Sequence, residues 1–256
     1  MDLKAVILAG GFGSRISEET HLIPKPMVQI GNRPILWHIM KLYSSHGIND
    51  FVICVGYRGY VIKEFFSNYF LHMCDVTFDM RRDGEMEVHQ SAVEPWRVTL
   101  VDTGLDTMTG GRLRRVRKYV EDGPFCMTYG DGVADIDISA LVKFHASHSK
   151  KATVTAVNAP GRFGVLGMSG DNITSMAEKA DTGRINGGFF VLDPAALDYI
   201  QDDSTIWERG PMERLAAEGE LAAYRHDGFW QAMDTLRDKQ ALEDLWNTGS
   251  PPWRNW

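Results

Sequence analysis

The sequence predicts an α/β fold with a Rossmann-like, doubly wound, mostly parallel (mixed) sheet. Three short apolar runs carry this prediction, because strands buried on both faces have continuous apolar sequences. They are KAVILA at 4–9, FVICVG at 51–56 and FCMTYG at 125–130. Helical patterns separate the runs, as expected for right-handed strand–helix–strand units. Ligands bind such sheets beyond the carboxyl ends of the strands, so the residues that follow each strand form the candidate site.

The other elements follow from local signals along the chain. Pro34 opens a helical pattern that Gly47 closes, and 60–70 is a second helix. Mixed polarity and a turn signal at about 71–96 indicate an inserted loop or hairpin. The same signals predict strands at 98–103, 153–157, 163–168, 172–177 and 187–192, and helices at 112–120, at 138–148 and after Pro194, Pro211 and Thr235.

Length and composition limit the function classes. The candidate motifs run from residue 8 to 235, which predicts one domain over 1–256 with a helical C-terminal portion at about 235–256. A net charge of -7 argues against a general nucleic-acid-binding surface. No apolar run approaches the roughly 18 residues of a membrane span. The three cysteines include no CxxC pair and fit a reducing cytoplasm.

The first candidate site follows the first strand, in the segment Leu8-Ala9-Gly10-Gly11-Phe12-Gly13-Ser14-Arg15. Its glycines allow backbone N–H groups to approach a phosphate, and Arg15 adds a cation. The segment is not a P-loop, and Arg15 and Ile16 spoil a dinucleotide fingerprint. A tight turn and a phosphate cradle both remain open on this evidence.

Three charged residues elsewhere in the chain, Lys25, Asp131 and Asp234, are candidates for binding phosphate or a metal ion. Lys25 lies between two prolines, which suits either a fixed cation or an exposed loop lysine. Asp131 lies between two glycines after a strand and is either a Mg²⁺ ligand or part of a turn. Asp234 precedes a helical run, as a second ligand or as an N-cap. Asp135 and Asp137 are interpreted as the cap of the next helix.

The order of these motifs resembles the sugar-phosphate nucleotidylyltransferases over residues 4 to about 240. The motifs are L-A-G-G-x-G-S-R, K-P, G-D-G, E-K, N-x-G and W-x-x-x-D-T. The stretches HLIPKPMV, NYFLHMCDVTFDM and MTGGRLRRV are similar to the branch that uses CTP and glucose 1-phosphate. The resemblance implies the nucleotidyltransferase type of fold and transfer of a nucleotidyl group to a sugar 1-phosphate, with release of pyrophosphate.

The resemblance also implies roles for the matching residues. The nucleotide would be bound by Leu8, Gly10, Gly11, Gly13, Ser14, Arg15, Lys25, Gly110, Gly111, Arg112 and Asp131. The sugar phosphate would be bound by Tyr129, Gly164, Glu178, Lys179 and Asn186, and Mg²⁺ by Asp131 and Asp234. Lys25, Arg15 and Asp131 would be catalytic.

Departures from the family pattern concern the sugar more than the reaction. Ser14 replaces a commoner threonine and keeps its hydroxyl, while Ala180 stands where a proline usually follows E-K. The implied chemistry is direct in-line displacement by a phosphate oxygen, which is already ionised and needs no general base. It requires neutralised charge and correct geometry, which the cations and backbone donors of the matching residues would provide.

Several alternatives stay open. Another nucleoside triphosphate or sugar 1-phosphate is the first, and a non-catalytic nucleotide-binding homologue is another. A glycosyltransferase would use Asp135-x-Asp137 as its metal motif. The basic run 112–118 is either a solvated helix face or, through Arg112, a nucleotide contact. The aromatic insertion (Tyr69, Phe70, Phe78, Trp96) is either core or a subunit contact, and the resemblance implies a homo-oligomer, a hexamer.

Overall fold

A seven-stranded sheet lies at the centre of the computed structural model. The structure describes residues 3–13, 22–89, 93–158, 165–169, 172–177 and 184–256, with only the backbone for 165–169 and 172–177. The strands are β1 Lys4–Leu8, β2 Gln29–Ile30, β3 Arg33–Pro34, β4 Asp50–Val55, β5 Asp75–Asp79, β6 Glu85–His89, β7 Arg97–Asp102, β8 Phe125–Tyr129, β9 Gly132–Ala134, β10 Ala152–Asn158, β11 Val165–Ser169, β12 Asn172–Ala177, β13 Arg184–Leu192, β14 Leu221–His226 and β15 Trp230–Ala232.

Seven α-helices are present in the described part of the chain. They are α1 Ile35–Ser45, α2 Gly59–Ser67, α3 Tyr69–Met73, α4 Thr109–Arg115, α5 Ile138–Ala146, α6 Pro211–Ala217 and α7 Leu236–Asn247. None of these helices in the described part of the chain is long and apolar enough to cross a bilayer.

The order of the central sheet is β14-β10-β13-β8-β1-β4-β7. Its strands are parallel except β13, which is antiparallel to both of its neighbours, β8 and β10. This confirms the predicted mostly parallel, mixed sheet. Because β13 runs the other way, its first residues lie at the edge where β1 and β8 end.

Both faces of the sheet are buried, as continuous apolar strands require. Along β1, Ala5 and Ile7 pack with α1 and the C-terminal segment, while Val6 and Leu8 pack with Leu113 and the residues around Trp207 on the other face.

The insertion contains the predicted hairpin. Strands β5 and β6 pair antiparallel and form a separate two-stranded sheet. The four aromatic residues of this region divide between core and surface. Tyr69 is buried and Trp96 packs against the core, while Phe70 and Phe78 are exposed.

The C-terminal portion is helical only in part, which corrects the prediction of a helical segment to residue 256. Helix α7 ends at Asn247, and Gly249 with φ +82° and Pro251 follow. A left-handed glycine and a proline end helices because neither continues the helical hydrogen bonding. The tail then turns inward, where Trp253 is 1% exposed and packs against His38. The residues after Pro194 and at 117–119 form 3-10 turns. One domain over 1–256 stays a prediction.

Candidate active site

A cavity of about 650 Å³, as bounded by the described residues, opens at the carboxyl edge of the sheet. This volume lies within the usual range for small-molecule sites. The residues after β1 and β8 line it together with the first residues of β13. The loop 105–109 and Trp230 also line it, together with Lys25, Pro26, Arg112, Glu208, Ala232 and Asp234.

Lys25 lies at the cavity with its ammonium between two carboxylates. Its Nζ is 2.6 Å from Asp131 Oδ2 and 2.7 Å from Asp234 Oδ1, and it donates a hydrogen bond to each. The residue is 7% exposed, and the aspartate side chains are 29% and 23% exposed. The prolines around Lys25 place it in a 3-10 turn, so the lysine is a buried, fixed cation and not an exposed loop residue.

Backbone pairing explains how Asp131 and Asp234 meet across the chain. Strands β9 and β15 pair antiparallel, with Gly132 opposite Ala232, and Met233 N donates to Asp131 O at 2.8 Å. Each aspartate therefore lies at the same end of this short ladder.

Asp234 is not the N-cap of α7, which the sequence left open. Thr235 caps the helix, and the buried Asp238 completes the capping box. The Asp238 carboxylate also accepts from Asp234 N at 3.1 Å, which fixes the backbone that carries the Asp234 side chain.

The glycine loop after β1 packs on the guanidinium of Arg112. Arg112 Nη2 donates to Gly10 O at 3.0 Å, and Nη1 donates to Thr103 Oγ1 at 2.7 Å and Gly104 O at 2.9 Å. A Cβ built on Gly10 would lie 2.1 Å from Arg112 Nη1, so only glycine fits there. Burial lowers the pKa of Arg112. The hydrogen bonds of the Arg112 side chain link the loop after β1 to the loop after β7.

Another part of the wall holds polar groups from four parts of the chain. Glu208 accepts from the Tyr129 hydroxyl and, at 2.7 Å, from Thr109 Oγ1. Asn186 Nδ2 donates to the Tyr129 hydroxyl oxygen at 3.3 Å. Gly188 has φ +78°, and a Cβ there would lie 2.7 Å from the Tyr129 ring, so glycine lets the ring lie against β13.

The chain matches the model of the nucleotidyl transferase family over residues 4–231. The chain belongs to that family. It is 61% identical to the glucose-1-phosphate cytidylyltransferase of Salmonella typhi, over 99% of this chain and 100% of that protein. The probable glucose-1-phosphate cytidylyltransferase of Bacillus subtilis is 43% identical, over 99% and 100%.

A solved structure from Bacillus anthracis, a putative glucose-1-phosphate thymidylyltransferase, has the same fold. Its TM-score is 0.66 at 20% identity, and the match covers 95% of this chain and 94% of the other.

The structure describes most of the site residues predicted for this nucleotidyl transferase. Most of those described residues line the same cavity. They are Leu8, Gly10, Gly11, Gly13, Lys25, Arg112, Tyr129, Asp131, Asn186 and Asp234. The predicted residues Ser14, Arg15, Gly164, Glu178 and Lys179, and Ala180, lie outside the described residues. The role of each residue remains a prediction.

Gly110 and Gly111 pack closely on another segment of the chain, and their predicted approach to the base stays a prediction. Neither lines the cavity, and a Cβ on either would collide with the backbone of 203–205, at 2.8 Å for Gly110 and 2.5 Å for Gly111. The pair permits close packing of α4 on that segment. Thr109 and Arg112, on either side of the pair, are the residues that line the cavity.

The two remaining aspartates have separate structural partners, which corrects their joint interpretation as a cap. Asp137 alone caps α5, accepting from Ala140 N at 2.9 Å, while Asp135 Oδ1 lies 2.9 Å from His226 Nε2. Neither lines the cavity. Sequence reasoning also missed Glu208, because nothing in WERGPM distinguishes it from a solvent-exposed acid before a helix.

Proposed function

We propose that this nucleotidyl transferase moves a cytidylyl group from CTP to α-D-glucose 1-phosphate, giving CDP-glucose and pyrophosphate. The observation that carries the proposal is the position of Lys25, whose ammonium lies between two carboxylates beside a glycine loop. The full-length likeness to relatives named glucose-1-phosphate cytidylyltransferase supports this pair of substrates.

The reaction needs two polyanions held in line with the charge on the attacked phosphate neutralised. The glycine loop brings the backbone of Gly11 and Gly13 to the cavity wall, and Lys25 supplies a fixed positive charge at the same cavity. The nucleophile is a phosphate oxygen, which needs no base.

The residues present fit a divalent cation. Asp131 and Asp234 converge on one point, and Mg²⁺ is commonly held by one or two carboxylates together with substrate phosphates. No group of three or more metal-binding side chains occurs in the described part of the chain, so the phosphates would complete the ligand set. When bound, Mg²⁺ would offset negative charge on the triphosphate.

The sugar phosphate would lie toward β13. Tyr129 and Asn186 present polar groups to the cavity there, and Glu178 and Lys179 stay predicted ligands on the grounds of the resemblance.

The proposal is tested by pyrophosphate release across a panel of nucleoside triphosphates and sugar 1-phosphates, with EDTA as the metal-free control. We expect release with CTP and glucose 1-phosphate that EDTA abolishes. The D131N variant should lose it by about 100-fold or more. The matched control D137N changes a helix cap and a pair with His46, and Asp137 is not among the described residues that line the cavity. Release with a different substrate pair would refute the substrates, and unaltered release by D131N would refute the site.

The glycosyltransferase alternative finds no support in the geometry. Its metal motif would need Asp135 and Asp137 together in a cavity, whereas each has a different structural partner. Absence of pyrophosphate release with every pair, combined with sugar transfer from a nucleotide sugar, would favour that class instead.

Two further features belong to the proposal: a homo-oligomer, a hexamer by the resemblance, and a cytoplasmic location. Exposed Phe78 and Met80 on the β5–β6 insertion, at 50% and 80%, support a contact between copies. Three free cysteines support a reducing compartment. Light scattering of the purified protein tests the first feature, since a monomer at all concentrations would contradict it.

A further inference from the structure

Glu208 lines the cavity near the point where β8, β13 and α4 contribute to the wall. It belongs to the segment before α6, and its carboxylate reaches side chains of two other elements. One oxygen contacts the Tyr129 hydroxyl, and the other is 2.7 Å from Thr109 Oγ1. No predicted role accounts for this residue.

The directions of the hydrogen bonds around Glu208 can be assigned. An ionised carboxylate only accepts, so Tyr129 and Thr109 must both donate their hydroxyl hydrogens to it. In agreement, Thr109 Oγ1 accepts from Trp207 N at 2.9 Å, and the Tyr129 oxygen accepts from Asn186 Nδ2 at 3.3 Å.

The orientation of the Asn186 amide is fixed in the same way. Its Oδ1 accepts from Gly188 N at 2.8 Å, which leaves Nδ2 toward Tyr129. With both hydroxyl hydrogens committed to Glu208, the lone pairs that remain on the hydroxyls and the carboxylate are acceptors. A wall of acceptors suits a ligand that donates hydrogen bonds, and sugar hydroxyls do so.

We propose that Glu208 is a positioning residue for the sugar: it holds the Tyr129 and Thr109 hydroxyls as acceptors and so selects a sugar hydroxyl that donates. The inference rests on the proposed function, because it names the wall that the sugar 1-phosphate meets. It concerns affinity and selectivity for the sugar and leaves the transfer step to the residues around Lys25.

The E208Q variant tests the inference because it keeps the shape and replaces one acceptor oxygen by an amide donor. Whichever way the amide is oriented, it faces Tyr129 or Thr109, and that hydroxyl must turn its hydrogen away. We expect the KM for glucose 1-phosphate to rise about tenfold, with the KM for CTP and kcat little changed. The matched control is E218Q, since Glu218 accepts from the Tyr199 hydroxyl in the same manner outside the cavity.

Fluorinated sugars give a readout that a merely structural role would not move. Fluorine accepts hydrogen bonds weakly and cannot donate them, so the wild-type enzyme should discriminate about tenfold against one of the monodeoxyfluoro glucose 1-phosphates. E208Q should reduce that discrimination, and Y129F should reduce it too. The double variant should be no worse than the worse single variant, since both remove one unit.

The outcomes separate the inference from the function it rests on. If the wild-type enzyme releases no pyrophosphate with glucose 1-phosphate, the proposed function fails. If it does, and E208Q shows the wild-type KM and the wild-type selectivity across the fluorinated sugars, the inference fails alone. If E208Q does not fold, Y129F with unchanged selectivity overturns the inference as well.

Discussion

Replacing Lys25 by methionine removes a cation from between two carboxylates while nearly keeping the length of the side chain. In the structure Lys25 Nζ is 2.6 Å from Asp131 Oδ2 and 2.7 Å from Asp234 Oδ1. The two oxygens therefore lie at most about 5.3 Å apart, by the sum of these two distances. K25M leaves two negative charges at that separation with no ammonium between them.

The magnitude of the stability loss follows from Coulomb's law. At about 5 Å, two like charges repel by about 1 to 3 kcal/mol for effective dielectric constants between that of water and that of a protein surface. Each kcal/mol lowers the melting temperature of a chain of this size by about 2 to 4 °C, so we expect K25M to melt roughly 2 to 12 °C lower in EDTA. Activity should fall by about 100-fold or more.

Mg²⁺ should act more strongly on the variant than on the wild-type protein. In the wild-type protein the ion must compete with the Lys25 ammonium for the two carboxylates, and K25M removes that competitor. We therefore expect excess Mg²⁺, without substrates, to raise the melting temperature of K25M by more than that of the wild-type protein. Differential scanning fluorimetry measures both shifts.

The control for this experiment is K151M. Lys151 pairs with the single carboxylate of Glu220 at 2.9 Å, so its loss creates no pair of facing carboxylates. Equal Mg²⁺ shifts in K25M, K151M and the wild-type protein would refute the reasoning, because the two aspartates would then not form a cation site. An unchanged melting temperature of K25M in EDTA would refute the estimate of repulsion.

Two further predictions concern packing and pH. G10A should destabilise the protein and weaken nucleotide binding, because its Cβ would displace the Arg112 guanidinium. G11A should leave thermal stability nearly unchanged, since a Cβ there meets nothing within 4 Å. Equal melting temperatures of the two variants would contradict this prediction. Burial lowers the pKa of His38 from 6.5 to about 4. The unfolded chain then binds the proton first, so the free energy of unfolding should fall by about 3 kcal/mol as pH decreases from about 6.5 to about 4. Urea unfolding at several pH values should show a flatter acid limb for H38Q, and an NMR titration that places His38 near 6.5 would contradict the prediction.

Local patterns were sufficient to predict most elements of the sheet. The apolar runs at β1, β4 and β8 became adjacent parallel strands, and the turn signal after residue 71 became a hairpin. These elements depend on neighbours along the chain, for which apolar periodicity and turn residues are direct evidence. Reversal of β13 depends on pairing with β8 and β10, and no local signal specifies it.

The site was predictable in part for the same reason. The glycine loop, Lys25 and Asp131 follow recognisable segments, so their residue types and positions point to phosphate and metal. The convergence of Asp131 and Asp234 on Lys25 arises from pairing of β9 with β15 across about 100 residues. Gly110 and Gly111 looked like ligand-facing glycines, but close packing of α4 demands glycine equally well.

The two sides of the cavity differ in how their charged groups are arranged. Lys25, Asp131 and Asp234 concentrate charge at one side, where phosphate chemistry needs it. Toward β13, the Glu208 carboxylate accepts hydrogen bonds from the hydroxyls of Tyr129 in β8 and Thr109 in α4. These two donors orient the hydroxyl hydrogens and partly offset the negative charge of Glu208. A carboxylate left bare there would repel the phosphate of the incoming sugar. Two hydroxyl donors reduce that repulsion while keeping acceptors for the sugar, which explains how an acidic residue fits a site that binds two anions.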